Sequence, residues 1–350
     1  MTRREGEARA AERTKPKLAC PRSHRRPENG LSSGGIMVSP AVSLPHLAFA
    51  TPRKLPKASE LPGRVVVLDI AFASEASGGG FAKITKPFID GVGDRLARWV
   101  DHHDHRLHGT FAEDRRFVLA TKKQHGACPE MITPELVAAT GAIDTIVCHG
   151  DFDGLVSAAK WIRGGHEPYP GADDDARAID TRIGKPGPKG LRLDRALRAR
   201  SRDASIFGLI IRVLTSDSPD PALWAILDEA AREMEALEAA TDRLAAGYTR
   251  ISLPAASVAR SIAFLRVPTG APRYDKTGLL LAGQDRAAIA AVIDKDTLTL
   301  AAPFDSGIDF LELLGLSGGM PTVVSVPIAR LDDALRALRV PHDERYRFEA

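Results

Sequence analysis

The sequence lacks the features of secreted and membrane-spanning proteins. It has three cysteines, Cys20, Cys128 and Cys148, which lie far apart and form no CxxC motif. This spacing argues against a disulfide framework or a cysteine-based zinc site, and it favours reduced thiols in a cytoplasmic protein. A membrane span needs about eighteen consecutive apolar residues, and the chain has no such run. Residues 1–36 also lack the apolar core of a secretory signal, so we expect a cytoplasmic protein with no membrane contact.

Aromatic residues and net charge are also low. Phe, Trp and Tyr make up 5% of the chain, and the net charge is only +3. Residues 1–36 hold nine basic and four acidic side chains, so the remainder is close to neutral. A long track for single-stranded nucleic acid needs many stacking rings and a cationic groove, so short substrates are favoured. The glycine-rich residues 184–190 lack the Gly-Lys-Ser/Thr ending of a Walker loop, so nucleoside triphosphate hydrolysis has no support.

Composition divides the chain into four predicted segments. Residues 1–60 are rich in Arg, Pro, Ser and Gly without a sustained apolar period, which is typical of a disordered basic arm. Residues 61–218 are the predicted catalytic domain, and an amphipathic pattern after Asp220-Pro221 predicts a linker helix over 219–248. A smaller α+β domain is expected over 249–345. Its predicted strands are 261–267, 278–281, 298–301 and 323–326, and its predicted helices are 285–293 and 331–338.

Polar side chains directly follow three predicted strands. Residues 65–68 form a continuous β-branched run that ends at Asp69, residues 96–100 lead into Asp101, and residues 143–148 lead into His149. Runs that are apolar on both faces are typical of a parallel sheet covered by helices. The sequence therefore predicts an α/β, doubly wound, mostly parallel sheet. The carboxyl ends of its strands form one crevice, so the three tips can converge although about 80 residues separate them.

These tips carry hard ligands. Aspartate oxygens and imidazole nitrogens suit Mn²⁺ or Mg²⁺ better than a thiolate site would. With one bridging carboxylate, two ions about 4 Å apart can bind one phosphate and activate a water molecule. The pattern predicts metal-dependent hydrolysis of a phosphoester.

Three motifs resemble those of the DHH phosphoesterase family, which includes RecJ-type exonucleases, short-oligonucleotide and cyclic-dinucleotide phosphodiesterases, and manganese pyrophosphatases. Residues 149–154, His-Gly-Asp-Phe-Asp-Gly, match its first motif, and Asp69 matches the lone aspartate of the second. Residues 101–103, Asp-His-His, match the third. In the family the Asp-His-His follows the Asp-x-Asp motif, whereas here it precedes it, so the chain looks circularly permuted. A site built from strand tips tolerates this change of order.

The resemblance implies a role for each motif residue and two bound Mn²⁺ ions, with Mg²⁺ as an alternative. Asp69 would bridge the ions, His103 would contact or polarise the phosphate, and Asp101 would orient the histidines. Asp180 is our choice for the family's further metal-binding aspartate, with Asp144 and Asp203 as competitors. The implied metal ligands are Asp69, His102, His149, Asp151, Asp153 and Asp180.

Substrate-binding residues are expected in two places. Residues 315–321 resemble the Gly-Gly-His segment of the DHH-associated domain, which suggests that Gly318 and Gly319 bind substrate, although Met320 replaces the histidine. Arg182 begins a basic run that also contains Lys185, Lys189, Arg192, Arg195 and Arg198. That run is either a cationic wall that guides phosphates or a solvated helix face. His105 and His108 are expected at the mouth of the site.

The leading hypothesis is hydrolysis of a phosphodiester in a short single-stranded oligonucleotide or a dinucleotide. A pyrophosphatase or other small-phosphate hydrolase is the alternative with the same site. A non-catalytic nucleotide-binding protein on the same fold is the alternative from another class, and the full set of acidic ligands argues against it. The oligomeric state is left open by the sequence.

Overall fold

A computed structural model describes residues 44–75 and 79–348. From Leu44 onward the chain packs as one compact unit. Within these residues no helix combines the length and apolarity required to cross a membrane. Residues 1–43 of the predicted arm lie outside the described residues.

The first layer is a five-stranded, fully parallel sheet, as the buried strand patterns predict. Its order is β1-β6-β2-β3-β5, so β2 lies at the centre. All polar strand tips therefore lie at one edge. The strands are β1 (His46–Ala50), β2 (Val65–Leu68), β3 (Leu96–Asp101), β5 (Phe117–Leu119) and β6 (Thr145–His149), and a two-residue strand, β4 (Asp104–His105), follows β3 outside this sheet.

Helices cover both faces of this sheet. Side chains alternate along β2, so Val66 and Leu68 enter one core while Val65 and Val67 enter the other. The first core also receives helices α4 to α8, and the second receives α2. This arrangement explains why the central strand is apolar at every position. The helices that accompany the sheet are α1 (Gly80–Lys83), α2 (Thr85–Val92), α3 (Pro134–Thr140), α4 (Phe152–Ile162), α5 (Ala172–Thr181), α6 (Pro188–Ala199), α7 (Ala204–Thr215) and α8 (Pro221–Arg232).

The predicted disordered arm, residues 1–60, includes residues that are ordered in the structure. Residues 46–50 pair in register with β6, from His46 opposite Thr145 to Ala50 opposite His149. A 3₁₀ turn, Ala58–Glu60, follows. The short apolar stretch between the prolines at 45 and 52 is therefore an edge strand, where flanking prolines cost no ladder hydrogen bond.

The predicted linker helix is two helices. α8 ends at Arg232, and α9 (Met234–Ala245) begins after Glu233, whose backbone N–H bonds to the carbonyl of Ala230. The bond spans three residues instead of four, so the helix tightens there.

The second layer is a separate mixed sheet in the order β12-β10-β9-β8-β7. Predicted strands at 261–267, 298–301 and 323–326 and the helix at 331–338 are confirmed. The two elements between them were exchanged: residues 278–281 lie in a helix and residues 289–293 in a strand. The elements are β7 (Thr249–Ser252), β8 (Ser261–Arg266), α10 (Lys276–Gln284), β9 (Ile289–Asp294), β10 (Thr297–Ala301), α11 (Phe310–Leu314), β11 (Gly318–Gly319), β12 (Val323–Pro327) and α12 (Leu331–Ala337).

Three arginines of the basic run in α6 form ion pairs with acidic side chains. Arg192 forms a bidentate pair with Asp228 of α8 at 2.6 Å, and Arg195 pairs with Glu238 of α9 at 2.5 Å. Arg198 pairs with Asp275 and Asp194. These arginines join α6 to neighbouring elements. Their charges are paired, so these three side chains do not form the cationic wall that the sequence analysis considered.

Candidate metal centre

Seven predicted residues from four chain segments meet at the carboxyl edge of the parallel sheet. Because β2, β3 and β6 are parallel neighbours, Asp69, Asp101 and His149 emerge side by side, and α4 and α5 bring further aspartates. Three overlapping groups each keep their donor atoms within 4.8 Å of one another. The groups are Asp69, His102 and His103; Asp69, His149 and Asp151; and His102, Asp153 and Asp180.

Asp69 lies at the centre of these groups in an unusual environment. Its backbone has a φ of 58°, and its N–H donates to the carbonyl of Val100 at 2.9 Å. The side chain is buried, and its Oδ1 lies 3.2 Å from His102 Nε2, but neither carboxylate oxygen makes a hydrogen bond of good geometry among the described residues. Burial and the charges of Asp153 and Asp151 raise its pKa well above the usual value. A buried, unpartnered carboxylate is costly unless a cation compensates it.

Asp101 orients one of the two histidines. Its Oδ1 accepts a hydrogen bond from His103 Nδ1 at 2.8 Å, which leaves His103 Nε2 free to accept a proton or a ligand. Burial and the Lys122 charge lower the pKa of His103. His102 is instead oriented by the backbone carbonyl of His125, to which its Nδ1 lies at 2.9 Å. The prediction that Asp101 orients the histidines therefore holds for His103 and is wrong for His102.

The Asp-x-Asp-Gly segment forms the first turn of α4. Asp151 is the N-cap and accepts a hydrogen bond from the Gly154 N–H at 3.3 Å. A Cβ on Gly154 would lie 2.6 Å from the carbonyl oxygen of His149, so only glycine fits there. His149 Nδ1 lies 2.6 Å from Asp151 Oδ2, and this charge raises the pKa of His149 to about 10 although burial lowers it. The turn thus places Asp151 and His149 beside Asp69, and Asp153 beside His102 and Asp180.

Asp180 reaches the cluster from α5 and not from a strand end. It is grouped with His102 and Asp153, as the choice of this aspartate requires. Its two competitors lie elsewhere. Asp144 accepts a hydrogen bond from the Arg64 N–H at 2.8 Å, before the start of β6, and Asp203 is the N-cap of α7.

Lys122 is a member of the cluster that the sequence analysis missed. It is 2% exposed, and its Nζ lies 2.8 Å from His102 Nε2 and forms an ion pair with Asp180. Burial lowers its pKa, but Asp180, Asp153 and Asp69 raise the pKa above the usual value. The signal was the short apolar run 117–120, a fourth strand whose polar tip follows two residues later.

Lys122 Nζ and His102 Nε2 lie within hydrogen-bond distance of each other, so only one of the two atoms can be the donor in that contact. Burial and the Lys122 charge lower the pKa of His102, whereas hydrogen bonds to Asp153 and Asp69 raise it, to about 11. An ammonium and a protonated imidazole are both donors and cannot form a hydrogen bond at 2.8 Å. His102 Nε2 also lies 3.2 Å from Asp69 Oδ1 and 3.2 Å from Asp153 Oδ2, so this one ring nitrogen faces two carboxylates as well as the ammonium.

The donor set fits a divalent cation. It offers carboxylate oxygens and imidazole nitrogens, which are the ligands of Mn²⁺ and Mg²⁺, with no thiolate among them. The unpartnered oxygens of Asp69 are the strongest indication, since they need a positive partner that the described side chains do not supply with good geometry. The fit is clearest for Asp69, His149 and Asp151, because Lys122 stands within the group of His102, Asp153 and Asp180.

The Gly-Gly segment packs directly on the Asp-His-His segment. Gly318 pairs with His105 and Gly319 with Asp104, which makes the antiparallel pair β4–β11. A Cβ on Gly318 would lie 2.2 Å from the His105 ring. Glycine is thus needed for close backbone approach. A role for both glycines in substrate binding stays a prediction.

Further hydrogen bonds beside β4 and β11 hold the two strands together. The Arg106 N–H donates to the carbonyl of Ser317 at 2.9 Å, and the Ser317 N–H donates to Glu75 Oε2 at 2.9 Å. Glu75 Oε1 also accepts from Arg106 at 2.7 Å. His105 is buried against Phe72, at 5.5 Å between ring centres. It belongs to the core, so its predicted place at the mouth is wrong, and His108 packs on the same ring.

A cavity of about 490 Å³ opens beside the cluster. Asp180 and Arg182 line one side, and Met320 lines another. Arg182 is exposed and ends α5 with a φ of 63°. The remaining wall is mostly apolar and contains Leu280, Leu281, Pro303, Phe304 and Val323. Arg182 thus lines the same cavity as Asp180, and its role in substrate binding stays a prediction.

No protein-family model matches the chain, and no curated protein matches it.

Proposed function

We propose that this chain is a divalent-metal-dependent phosphoesterase, similar to the DHH family, that hydrolyses a phosphodiester in a short oligonucleotide or a dinucleotide. The supporting observation is the convergence of all six proposed metal ligands at one sheet edge around the buried, unpartnered carboxylate of Asp69. Such an arrangement is costly for the fold and is typical of a site that binds a cation. Mn²⁺ is the proposed ion, with Mg²⁺ as the alternative.

Each part of the cluster has a distinct proposed task. A divalent ion bound there would lower the pKa of a water molecule and offset charge on the phosphate. Asp69, His149 and Asp151 would hold it. His103, kept neutral and oriented by Asp101, would contact the phosphate or take a proton at Nε2.

The cavity supports an organic phosphodiester over pyrophosphate. Its volume of about 490 Å³ is in the range of small-molecule sites. Leu280, Phe304 and Met320 offer apolar surface that a nucleoside can bury and an inorganic ion cannot. Arg182 at its edge can pair with a second phosphate. A dinucleotide or the end of a short oligonucleotide therefore fits best.

A substrate panel with purified protein and Mn²⁺ or Mg²⁺ tests the proposal. It should contain dinucleotides, cyclic dinucleotides, single-stranded oligomers of increasing length and pyrophosphate. We expect hydrolysis of dinucleotides and short oligomers, a loss of at least ~100-fold in the Asp151→Asn variant, and no loss in the matched control Asp90→Asn. Among the described residues, Asp90 forms an ion pair only with Lys86, on the exposed face of α2.

The outcome separates the competing hypotheses. Full activity on pyrophosphate with none on dinucleotides would favour a small-phosphate hydrolase. Metal-dependent nucleotide binding without turnover on any substrate would favour a binding protein. An absence of both binding and turnover would refute the site itself.

A further inference from the structure

Lys122 has the geometry of a bound cation and not of a surface side chain. Its Nζ contacts His102 Nε2 at 2.8 Å and pairs with Asp180, and the side chain is 2% exposed. Its backbone is anchored as well, because the Lys122 N–H donates to Asp104 Oδ2 at 3.1 Å. Both ends of the residue are therefore tied to the cluster.

The contacts of Lys122 are made to a group that could itself hold a metal ion. His102, Asp153 and Asp180 keep their donor atoms within 4.8 Å of one another, and the ammonium touches two of these three residues. A divalent ion and an ammonium would repel each other strongly at that distance and would compete for the same lone pairs. Only one of them can occupy the position.

The other end of the cluster differs in this respect. Asp69, His149 and Asp151 form a second group, and no lysine or arginine among the described residues pairs with any of the three. Asp69 also retains its unpartnered oxygens there. One half of the cluster is thus already provided with a cation, and the other half is not.

We propose that the site holds a single divalent ion at Asp69, His149 and Asp151, and that the Lys122 ammonium permanently takes the place of a second ion. This inference rests on the proposed function and replaces the two ions expected from the sequence. A lysine supplies positive charge and three N–H donors for a phosphate oxygen, but it cannot bind and polarise a water molecule as a metal does. Water activation would then belong to the Asp69 end alone.

Metal stoichiometry and magnetic coupling test this directly. The full chain would be titrated with Mn²⁺, and the bound metal would be counted by elemental analysis and examined by electron paramagnetic resonance. We expect one Mn²⁺ per wild-type chain with the signal of an isolated ion. Lys122→Met removes the charge while keeping most of the volume, and we expect two Mn²⁺ per chain, a twofold increase, with the altered signal of a coupled pair.

The adjacent lysine provides the matched control. Lys123 is exposed, so Lys123→Met should bind one isolated ion, as wild type does. A thermal melt of each variant checks folding, and Lys122→Arg, which keeps the charge, should also bind one ion. The coupled signal is a readout that loss of packing would not create.

The failures of the inference and of the proposed function are distinguishable. Two coupled ions in the wild-type chain would overturn the lysine assignment and leave the phosphoesterase proposal standing. One ion in Lys122→Met would also overturn it, since the freed position would then not bind metal. No Mn²⁺ in the wild-type chain would refute the proposed function. Two ions in the wild-type chain would overturn the inference even if Lys122→Met does not fold.

Discussion

Asp69 shows at the scale of one residue how a binding site can oppose stability. Its backbone is in the left-handed region, which most side chains avoid, and its carboxylate is buried beside Asp151 and Asp153. Residues held in such conformations cluster at functional sites. In the metal-free protein this carboxylate destabilises the fold, and a bound cation would reverse the effect.

Asp69→Asn should therefore stabilise the metal-free protein while removing metal binding. Asparagine tolerates the positive φ and removes the carboxylate repulsion. We expect a gain of about 1 kcal/mol in the free energy of unfolding, or roughly 2–4 °C in Tm. Mn²⁺ should raise the Tm of wild type and of Asp90→Asn but not of Asp69→Asn. A lower metal-free Tm in Asp69→Asn than in wild type would contradict this account.

Arg182 permits a second prediction at this scale. It lines the cavity beside Asp180, and a guanidinium offers no acceptor atom to a cation. Loss of its charge should weaken substrate binding without changing the chemistry, so Arg182→Ala should raise KM about tenfold with a small effect on kcat. Lys185, an exposed basic residue outside the cavity lining, is the control. A large fall in kcat with unchanged KM would assign Arg182 to the reaction itself.

The sequence predicted most directly those site residues that belong to a local motif. Asp69, Asp101 and His149 follow apolar strand runs, so their meeting at one edge follows from parallel pairing alone. Lys122 and the helical position of Asp180 depend on how a short strand and α5 pack, and no local pattern marks that. A lone lysine near a strand tip is ordinarily a solvated residue, so only tertiary structure identifies it as buried.

At the scale of elements, the pair β4–β11 joins the mixed-sheet part of the chain to the metal cluster. β4 is two residues long, directly follows the Asp-His-His segment, and pairs with Gly318 and Gly319. A displacement of β11 would therefore also displace β4, whose residues lie one and two positions after His103. This coupling makes Gly318 a sensitive position.

Gly318→Ala should impair both stability and activity. The added methyl would overlap the His105 ring and the carbonyl of Asp104, and overpacking of this kind costs about 1–3 kcal/mol. A thermal melt and a kcat measurement would check this. Gly208→Ala in α7 is the matched control, because nothing lies within 4 Å of its Cβ, and it should be neutral or slightly stabilising. Equal behaviour of the two variants would mean that β11 does not constrain β4.

The stability that Glu75 gives to the β4–β11 pair should depend on pH. Burial raises the pKa of Glu75, but hydrogen bonds from Ser317 and the Arg106 charge lower it to about 2 from 4.5. Its contribution is therefore present above about pH 4.5 and lost as the pH falls towards 2. Glu75 is half exposed, so we expect only about 0.5–1 kcal/mol. The Tm difference between wild type and Glu75→Gln should shrink from pH 6 to pH 3, and a difference that grew on acidification would refute the assignment.

Elements were predictable where length and periodicity agreed. Three of the five strands of the parallel sheet, β2, β3 and β6, were found because their continuous apolar runs are typical of buried strands. Residues 278–281 were read as a strand and 289–293 as part of a helix, since short apolar runs do not distinguish the two. β1 was missed because its five residues lie between prolines in a segment otherwise rich in turn-forming residues.

At the scale of the whole molecule, charge is used mainly to join helices. Arg192, Arg195 and Arg198 all pair with acids on other elements. These three paired arginines add little to the attraction of a long polyanion, which agrees with the preference for short substrates that we propose.

The edge strand β1 has a consequence for how far the chain can be shortened. β1 pairs with β6 along its whole length, and its last residue, Ala50, lies opposite His149. A protein that began at Leu44 would keep every hydrogen bond that supports the strand carrying this proposed ligand. One that began after residue 50 would expose the edge of β6 to other chains, so it would be expected to self-associate and to bind metal less tightly.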